Sequence, residues 1–465
     1  MSFLIVLAAL VFLMFVAYRG YSVILFAPIA ALGAVLLTNP ALVAPMFTGL
    51  FMEKMVGFIK LYFPVFLLGA LFGKVIELSG FSKSIVLSVI KLIGAKRAII
   101  SIVTVCALLT YGGVSLFVVV FAVYPFAAEM FKKCNIPKRL IPGAIALGAF
   151  TFTMDALPGT PQIQNIIPTV FFKTNIYAAP WLGVIGAVFI LIVGLTYLEW
   201  RCRLAASAGE GYGANLVNEP EPLDHGNLPH PIIAILPLVL VGVMNKVFTT
   251  VIPGLYGESY SFIPVVVGKA VPVVQDISKV TAIWAVEGAL LVGIVSVFTF
   301  AWKPVIGRFA EGSKPAIAGA LLASMNTASE YGFGAVIAAL PGFLVVADVL
   351  KHIPNPLVNE AVTVTSLAGI TGSASGGMSI ALAAMADTFI QNAHAGGIPM
   401  EVLHRVAAMA SGGMDTLPHN GAVITLLTVT GLTHRVSYRD IFAVTLIKTA
   451  AVFVVIAVYY LTGIY

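Results

Sequence analysis

Residues 153–165 read TMDALPGTPQIQN, and residues 413–425 read GMDTLPHNGAVIT. Each lies between apolar runs, carries an aspartate followed closely by Leu-Pro, and returns to helix-compatible sequence within a few residues. Proline cannot continue a helix, and the residue before it avoids helical geometry. Thr160 followed by Pro161 has the form of an N-cap and first-turn pair, and Asn420 is a favoured N-cap at the same place in the second stretch. The pattern predicts two helices broken in the middle, related by a repeat.

The surroundings say where these helices lie. The chain has 465 residues, 60% of them hydrophobic and 10% charged, with a mean hydropathy of +1.02. About a quarter of a soluble domain is charged, so this chain cannot cover a surface facing water. The composition predicts an all-α polytopic membrane protein. Apolar stretches of spanning length fall near 2–18, 22–38, 62–80, 180–200, 231–251, 280–301, 317–345 and 441–464. Transmembrane barrel strands would alternate over about ten residues instead. Residues 2–18 have neither a basic n-region nor a small-residue cleavage site, and read as a retained helix. Cys106, Cys134 and Cys202 have no pairing or metal spacing, so neither a disulfide framework nor a metal or cofactor site is expected. The net charge of +6 needs no nucleic acid to explain it. The partners expected are the bilayer and a small organic anion.

Basic residues cluster at Arg19; at Lys83, Lys91, Lys96 and Arg97; at Lys132, Lys133, Lys138 and Arg139; at Arg201 and Arg203; at Lys303, Arg308 and Lys314; and at Arg435 and Arg439. Placing all of them in the cytoplasm gives one consistent threading, with both termini outside. FGKVIELSGF (72–81) then matches FGAVIAALPGF (333–343), YGGVSLF (111–117) matches SGGMSIA (375–381), and MDALPGTP (154–161) matches MDTLPHNG (414–421). The offset stays between 260 and 264 residues, which chance similarity of apolar segments would not produce. Residues 62–80 end at a cytoplasmic cluster whereas their match begins after one, so the repeats are inverted, an architecture of secondary transporters. The expected division is a first repeat over 1–200, a polar linker over 201–230 and a second repeat over 231–465.

Residues 97–131 start and end at basic clusters, with Gly112-Gly113 at their centre permitting a sharp reversal. A re-entrant hairpin fits; two short full spans are the alternative. The second hairpin is expected over 353–391 with its tip in TGSASGGMS (371–379), and the broken helices over 140–172 and 403–432. Ser115 and Ser379 are expected to open the second arms. Up to four half-helix N-termini then converge at mid-membrane, each with unpaired N–H groups and partial positive charge. Such a place suits an anion. The candidate substrate ligands are Gly112, Gly113, Ser115, Thr160, Gln162, Asn165, Ser375, Gly376, Gly377, Ser379, His419 and Asn420.

With these Gly/Ser tips and the breaks LPGTPQIQN and LPHNGAVIT, the chain resembles the gluconate:proton symporter family of the ion transporter superfamily. The resemblance implies a dimeric elevator in the bacterial cytoplasmic membrane, with a scaffold and a transport domain holding both hairpins. It also implies substrates such as gluconate, related sugar acids, D-serine or D-3-hydroxybutyrate. Sugar-acid members carry a histidine and further prolines at the first break. Met154-Asp155-Ala156 and Gly159 stand there in this chain, which is closer to the hydroxybutyrate permease-like branch.

An intramembrane carboxylate is costly and a functional candidate by default. A charged Asp155 or Asp415 would repel a bound carboxylate and a protonated one would not, so proton and anion would enter together. Glu330, in the apolar NTASEYGFG, is the third candidate for proton coupling. Helix capping by the aspartates and sodium ligation are the alternatives. Glu287 is placed to pair with Lys448. Two aspartates at membrane depth also raise an intramembrane aspartyl protease, but neither Y-D nor G-x-G-D is present. An anion channel is a further reading, and a chain with few amide side chains at its tips favours a short hydroxy-monocarboxylate over gluconate.

Overall fold

The computed structural model of the chain describes residues 2–19, 21–94, 97–213, 217–220, 228–263, 272–343, 345, 353–418 and 420–465. Lys96 and His419, used above, and Lys351 and His352, which precede the second hairpin, lie outside the described residues.

The protein is an all-α polytopic membrane protein. Ser2–Tyr18 (α1) and Val23–Thr38 (α2) form a helical pair, and Pro40–Leu78 (α3) follows, its first turns loosened into 3₁₀ and π geometry. Phe81–Ile93 (α4) leads to the first hairpin, Ala98–Tyr111 (α5) and Leu116–Lys133 (α6). The first broken helix is Ile141–Ala149 (α7), a single turn over Phe152–Asp155, and Ile163–Phe172 (α8). Pro180–Ser207 (α9) closes the first half. The second half begins with Pro231–Tyr256 (α10) and Ile277–Ala338 (α11), then the hairpin Pro356–Thr371 (α12) and Ala374–Ala395 (α13). Its broken helix is Met400–Gly412 (α14), a 3₁₀ turn over Gly413–Thr416, and Gly421–Thr430 (α15), before His434–Thr462 (α16). Both breaks therefore fall where Leu-Pro places them.

The matched helices α3 and α11 pack along their lengths. Phe51, in the first turns of α3, lies against Gly332 near the end of α11, while Leu78 at the end of α3 accepts a hydrogen bond from Arg308 Nη2 at 2.8 Å. The pair is thus antiparallel, as inversion requires. The cross-packing repeats as well. In each half the first hairpin arm packs on the first part of its own broken helix, α5 on α7 and α12 on α14. The second arm packs on the second part of the other half's broken helix, α6 on α15 and α13 on α8. This exchange is what gathers both tips and both breaks into one place.

Large apolar side chains are left outside on the flanking helices: Leu25, Ile29 and Leu36 on α2, Val239, Val243 and Val247 on α10, Leu291 and Val295 on α11. Their spacing of four or seven residues paints one face of each helix, the face a bilayer would cover.

Four expectations change. The expected spans 280–301 and 317–345 are not separated: α11 carries through Lys303, Arg308 and Lys314 between them and kinks at Ala301, whose φ of −137° and ψ of 41° are non-helical. Helix α8 starts at Ile163, not at Thr160-Pro161, with Gln162 in the N-cap position. Thr160 is drawn off because its hydroxyl donates to Thr153 O at 2.6 Å, closing the break on itself. Helix α13 starts at Ala374, because Ser373 caps it by accepting the Gly376 N–H at 3.1 Å. The turn is therefore Gly372-Ser373, and Gly376, Gly377 and Ser379 sit inside the helix. Finally, the described part of the linker packs back: Glu210 pairs with Arg139, Glu219 with Lys138, and Tyr124 OH donates to Asn218 O. A small antiparallel ribbon, Ser259–Phe262 on Val273–Asp276, joins α10 to α11 and was not expected.

Candidate functional site

The four half-helix starts are joined by side chains from the breaks. At the first hairpin, α5 ends at Tyr111 with Gly112 as its C-cap, and Gly113 takes a φ of +96° that few other residues tolerate. Pro161 of the first break lies against Gly113, and Gln162 Nε2 donates to Thr110 O at 2.7 Å. Two residues on, Gln164 Nε2 donates to Asp415 Oδ2 at 2.8 Å, crossing from the first half to the second. Asp415 Oδ1 accepts the Ala374 N–H at 3.0 Å, at the start of α13. Asn420 donates to Gly372 O at 2.8 Å and to Asp415 Oδ1 at 3.4 Å, while its oxygen caps α15 through the Ala422 N–H. Reading along this chain passes from the first tip to the first break, then to the second break and the second tip.

The exposed C-terminal carbonyls of the broken helices are met as fully. Lys448 of α16 forms a buried ion pair with Asp155 and donates to Phe150 O at 3.1 Å. Arg405 of α14 donates to Asp155 O at 2.6 Å, to Asn165 Oδ1 at 3.0 Å and to Ala178 O through Nη2 at 2.7 Å. Pro158 O accepts Tyr111 OH at 2.8 Å, and the matching Pro418 O lies 2.8 Å from His434 Nε2. Backbone freed at membrane depth must find such partners.

The predicted ligands therefore divide. Asn165 donates to Thr160 O and Ile176 O, and its oxygen takes Arg405 and the ring of His404; it holds the break and has nothing left for a ligand. Ser115 is the N-cap residue of α6 but makes no side-chain bond there. Ser375 Oγ lies within 3.3 Å of Thr327 Oγ1 on α11. Gly376 lies directly under the Glu330 carboxyl, and Gly377 under the Leu367 and Ala368 backbone of the opposite arm. Ser379 is buried with no partner for its hydroxyl. His419 lies outside the described residues.

The three carboxyl groups differ. Asp155 faces a cation, although its Oδ1 accepts no hydrogen bond. Asp415 accepts three hydrogen bonds and caps a helix, which is the capping alternative realised in one half only. Glu330 lies near the Ser373 hydroxyl, and its Oε2 is buried without a partner. Lys448 is taken by Asp155, so Glu287 does not pair with it. With Lys448 on one aspartate and N–H donors on the other, the two do not form a proton-sharing dyad.

Sequence reasoning missed Arg405 and His404, although an arginine inside the apolar run of residues 402–414 was a signal. It also missed Ser373 as the cap, Gln164 as the bridge, and Glu360, a fully buried carboxyl on α12 whose oxygens have no partner. Among the described residues no group of His, Cys, Asp and Glu is arranged to hold a metal ion.

No protein-family model matches the chain. It is 61% identical over 472 residues to the uncharacterized transporter YxjC of Bacillus subtilis (strain 168), covering 100% of both chains. Its fold is similar to that of the Alcanivorax borkumensis YdaH transporter, described as having an unusual topology. That likeness has a TM-score of 0.50 at 15% identity and covers 92% of this chain and 90% of the other. YxjC is named a transporter, which sets aside the protease reading.

Proposed function

Since the chain belongs to the transporter family that includes YxjC, we propose that it is a proton-coupled secondary transporter of a small hydroxy-monocarboxylate resembling 3-hydroxybutyrate. The substrate would sit where the hairpin tips meet the breaks. The observation that carries this reading is the bridge from Gln164 to Asp415, which brings the starts of α8, α13 and α15 around one point. Gln162 ties the first tip to the same cluster. Helix starts so gathered favour a carboxylate; Asp415 meets the start of α13 and Asn420 caps α15, and the uncapped start of α6 beside them is left for the substrate's own.

Charge balance supports the proton. Asp155 and Asp415 are balanced by Lys448 and Arg405 in the same interior, so an entering carboxylate finds no spare cation and would be repelled by an ionised glutamate there. A proton taken up by that glutamate together with the substrate keeps the charge of the interior unchanged. Glu330 is the best-placed carrier: its carboxyl is buried with no cation beside it, which is costly when ionised, its Oε2 has no partner, and it lies against Gly376 at the start of the hairpin arm. The carbonyl ends at the first break, where a sodium ion could be coordinated, are already taken by Lys448 and Arg405. Movement of the hairpins and broken helices as one body against α3 and α11 would give elevator exchange. We place the protein in the bacterial cytoplasmic membrane as a homodimer with both termini outside, in the hydroxybutyrate-like branch of the gluconate symporter family.

The test is uptake of labelled 3-hydroxybutyrate into proteoliposomes. Accumulation driven by an inward proton gradient, unchanged when choline replaces sodium and inhibited by lactate more than by gluconate, is expected. Accumulation driven by sodium alone would sink the coupling, and competition by gluconate alone would sink the branch.

A further inference from the structure

The two breaks carry matched aspartates and use them differently. Asp415 reaches the start of α13 and accepts the Ala374 N–H, and Ser373 caps the next turn. A helix start whose N–H groups are already met by a protein carboxylate offers little to a second anion. Asp155, its counterpart, is turned away to Lys448, and the start of α6 at Ser115 has no side-chain cap. Thr110 Oγ1, on the residue whose carbonyl receives Gln162, is buried without a protein partner, and so is Gln164 Oε1, on the amide that bridges to Asp415. One half is thus filled by the protein itself and the other is left open.

We infer that Asp415 is a specificity-determining residue: a tethered carboxylate that fills the second anion seat, so that the transporter accepts one carboxylate per substrate and turns away dicarboxylates of the same length. The inference rests on the carboxylate reading of the site. Its physical basis is like-charge exclusion. A second substrate carboxylate would have to displace Asp415 from Ala374 and Gln164 or stand beside it, and either is unfavourable. The Thr110 hydroxyl would then donate to the substrate's single carboxylate, and Gln164 Oε1 would accept from its hydroxyl.

A matched pair of probes tests this. Malate is 3-hydroxybutyrate with its methyl group replaced by a carboxylate. Binding of each to the purified full-length protein is read by calorimetry and by the shift in melting temperature. In the wild type, 3-hydroxybutyrate should bind and malate should bind at least about tenfold more weakly. Asp415→Ala should shift the ratio toward malate by about tenfold or more, and Asp415→Asn, which keeps an acceptor for the Ala374 N–H, should shift it less in the same direction. If Asp415→Ala does not yield folded protein, the Asn variant decides alone. Wild-type binding of 3-hydroxybutyrate with no change in ratio in either variant overturns the role of Asp415 and leaves the carboxylate reading standing. Wild type that binds both probes equally also overturns it. Wild type that binds neither overturns both.

Discussion

Lys448, near the middle of the last helix, ion-pairs with Asp155 at the first break and donates to Phe150 O from the same ammonium group. It therefore ties α16 to the first break, 293 residues earlier in the chain. Both side chains are fully buried. Removing one partner of such a pair leaves an uncompensated charge, at a cost of about 3–5 kcal/mol. Lys448→Met should lower the melting temperature strongly in detergent, Asp155→Asn likewise, and the double variant should recover most of the loss. A double variant no more stable than the worse single one would show that the pair is not coupled.

The breaks, the hairpins and the inversion were legible because each rests on a local rule: Pro158 and Pro418 cannot continue a helix, Gly112-Gly113 permits reversal, and spans repeat at fixed spacing. What was not legible was partner choice. Nothing in the run around Lys448 says that it meets Asp155 and not Glu287, because that depends on how α16 crosses α7. Helix starts were misplaced for a related reason. Thr160 has the chemistry of a cap, but a tertiary turn offered its hydroxyl the Thr153 carbonyl instead. Ser373 and Ser379 are equally good caps by type, and only the position of Asp415 beside Ala374 selects the earlier one. Aligning the repeats also suggested equivalent roles for Asp155 and Asp415, whereas one pairs with a cation and the other caps a helix.

Arg405 serves three acceptors from one planar fork: the carbonyls of Asp155 and Ala178 and the side-chain oxygen of Asn165. A lysine keeps the charge but cannot reproduce that geometry. Arg405→Lys should therefore fold with reduced stability, by about 1–3 kcal/mol for the acceptors it leaves unmet. Arg405→Met should fare worse, since it also removes the charge that faces Asp155. Thermal melts of the two variants in one detergent give the comparison, and equal stability of Arg405→Lys and wild type would contradict the fork.

Outside the membrane, Glu210 is held below the usual carboxylate range by hydrogen bonds from Arg139, at 2.6 and 2.8 Å. A carboxylate lowered on folding adds stability above its unfolded pKa and loses it as pH falls through the folded one. The side chain is 40% exposed, so solvent screening keeps the contribution below about 1 kcal/mol. Glu210→Gln should melt slightly below wild type at neutral pH, and the gap should close as pH falls below about 4. A gap that widened on acidification would assign the opposite sign.

Gly376 lies so close beneath Glu330 that a Cβ there would overlap the carboxyl. One of the two contacts belongs to the hairpin arm α13 and the other to α11, which packs against α3. If the arm moves against α11 during transport, this contact must open and reclose in every cycle. Gly376→Ala should then prevent the seated arrangement and cut uptake by about tenfold or more, an effect of about 1.4 kcal/mol on the barrier. Shortening the opposing side chain restores the space, so Gly376→Ala combined with Glu330→Ala should seat the hairpin again. Because Glu330 is also the proposed proton carrier, that double variant should regain exchange of substrate for substrate without regaining proton-driven accumulation. Recovery of both activities together would separate Glu330 from coupling, and recovery of neither would mean that the contact does not gate the hairpin.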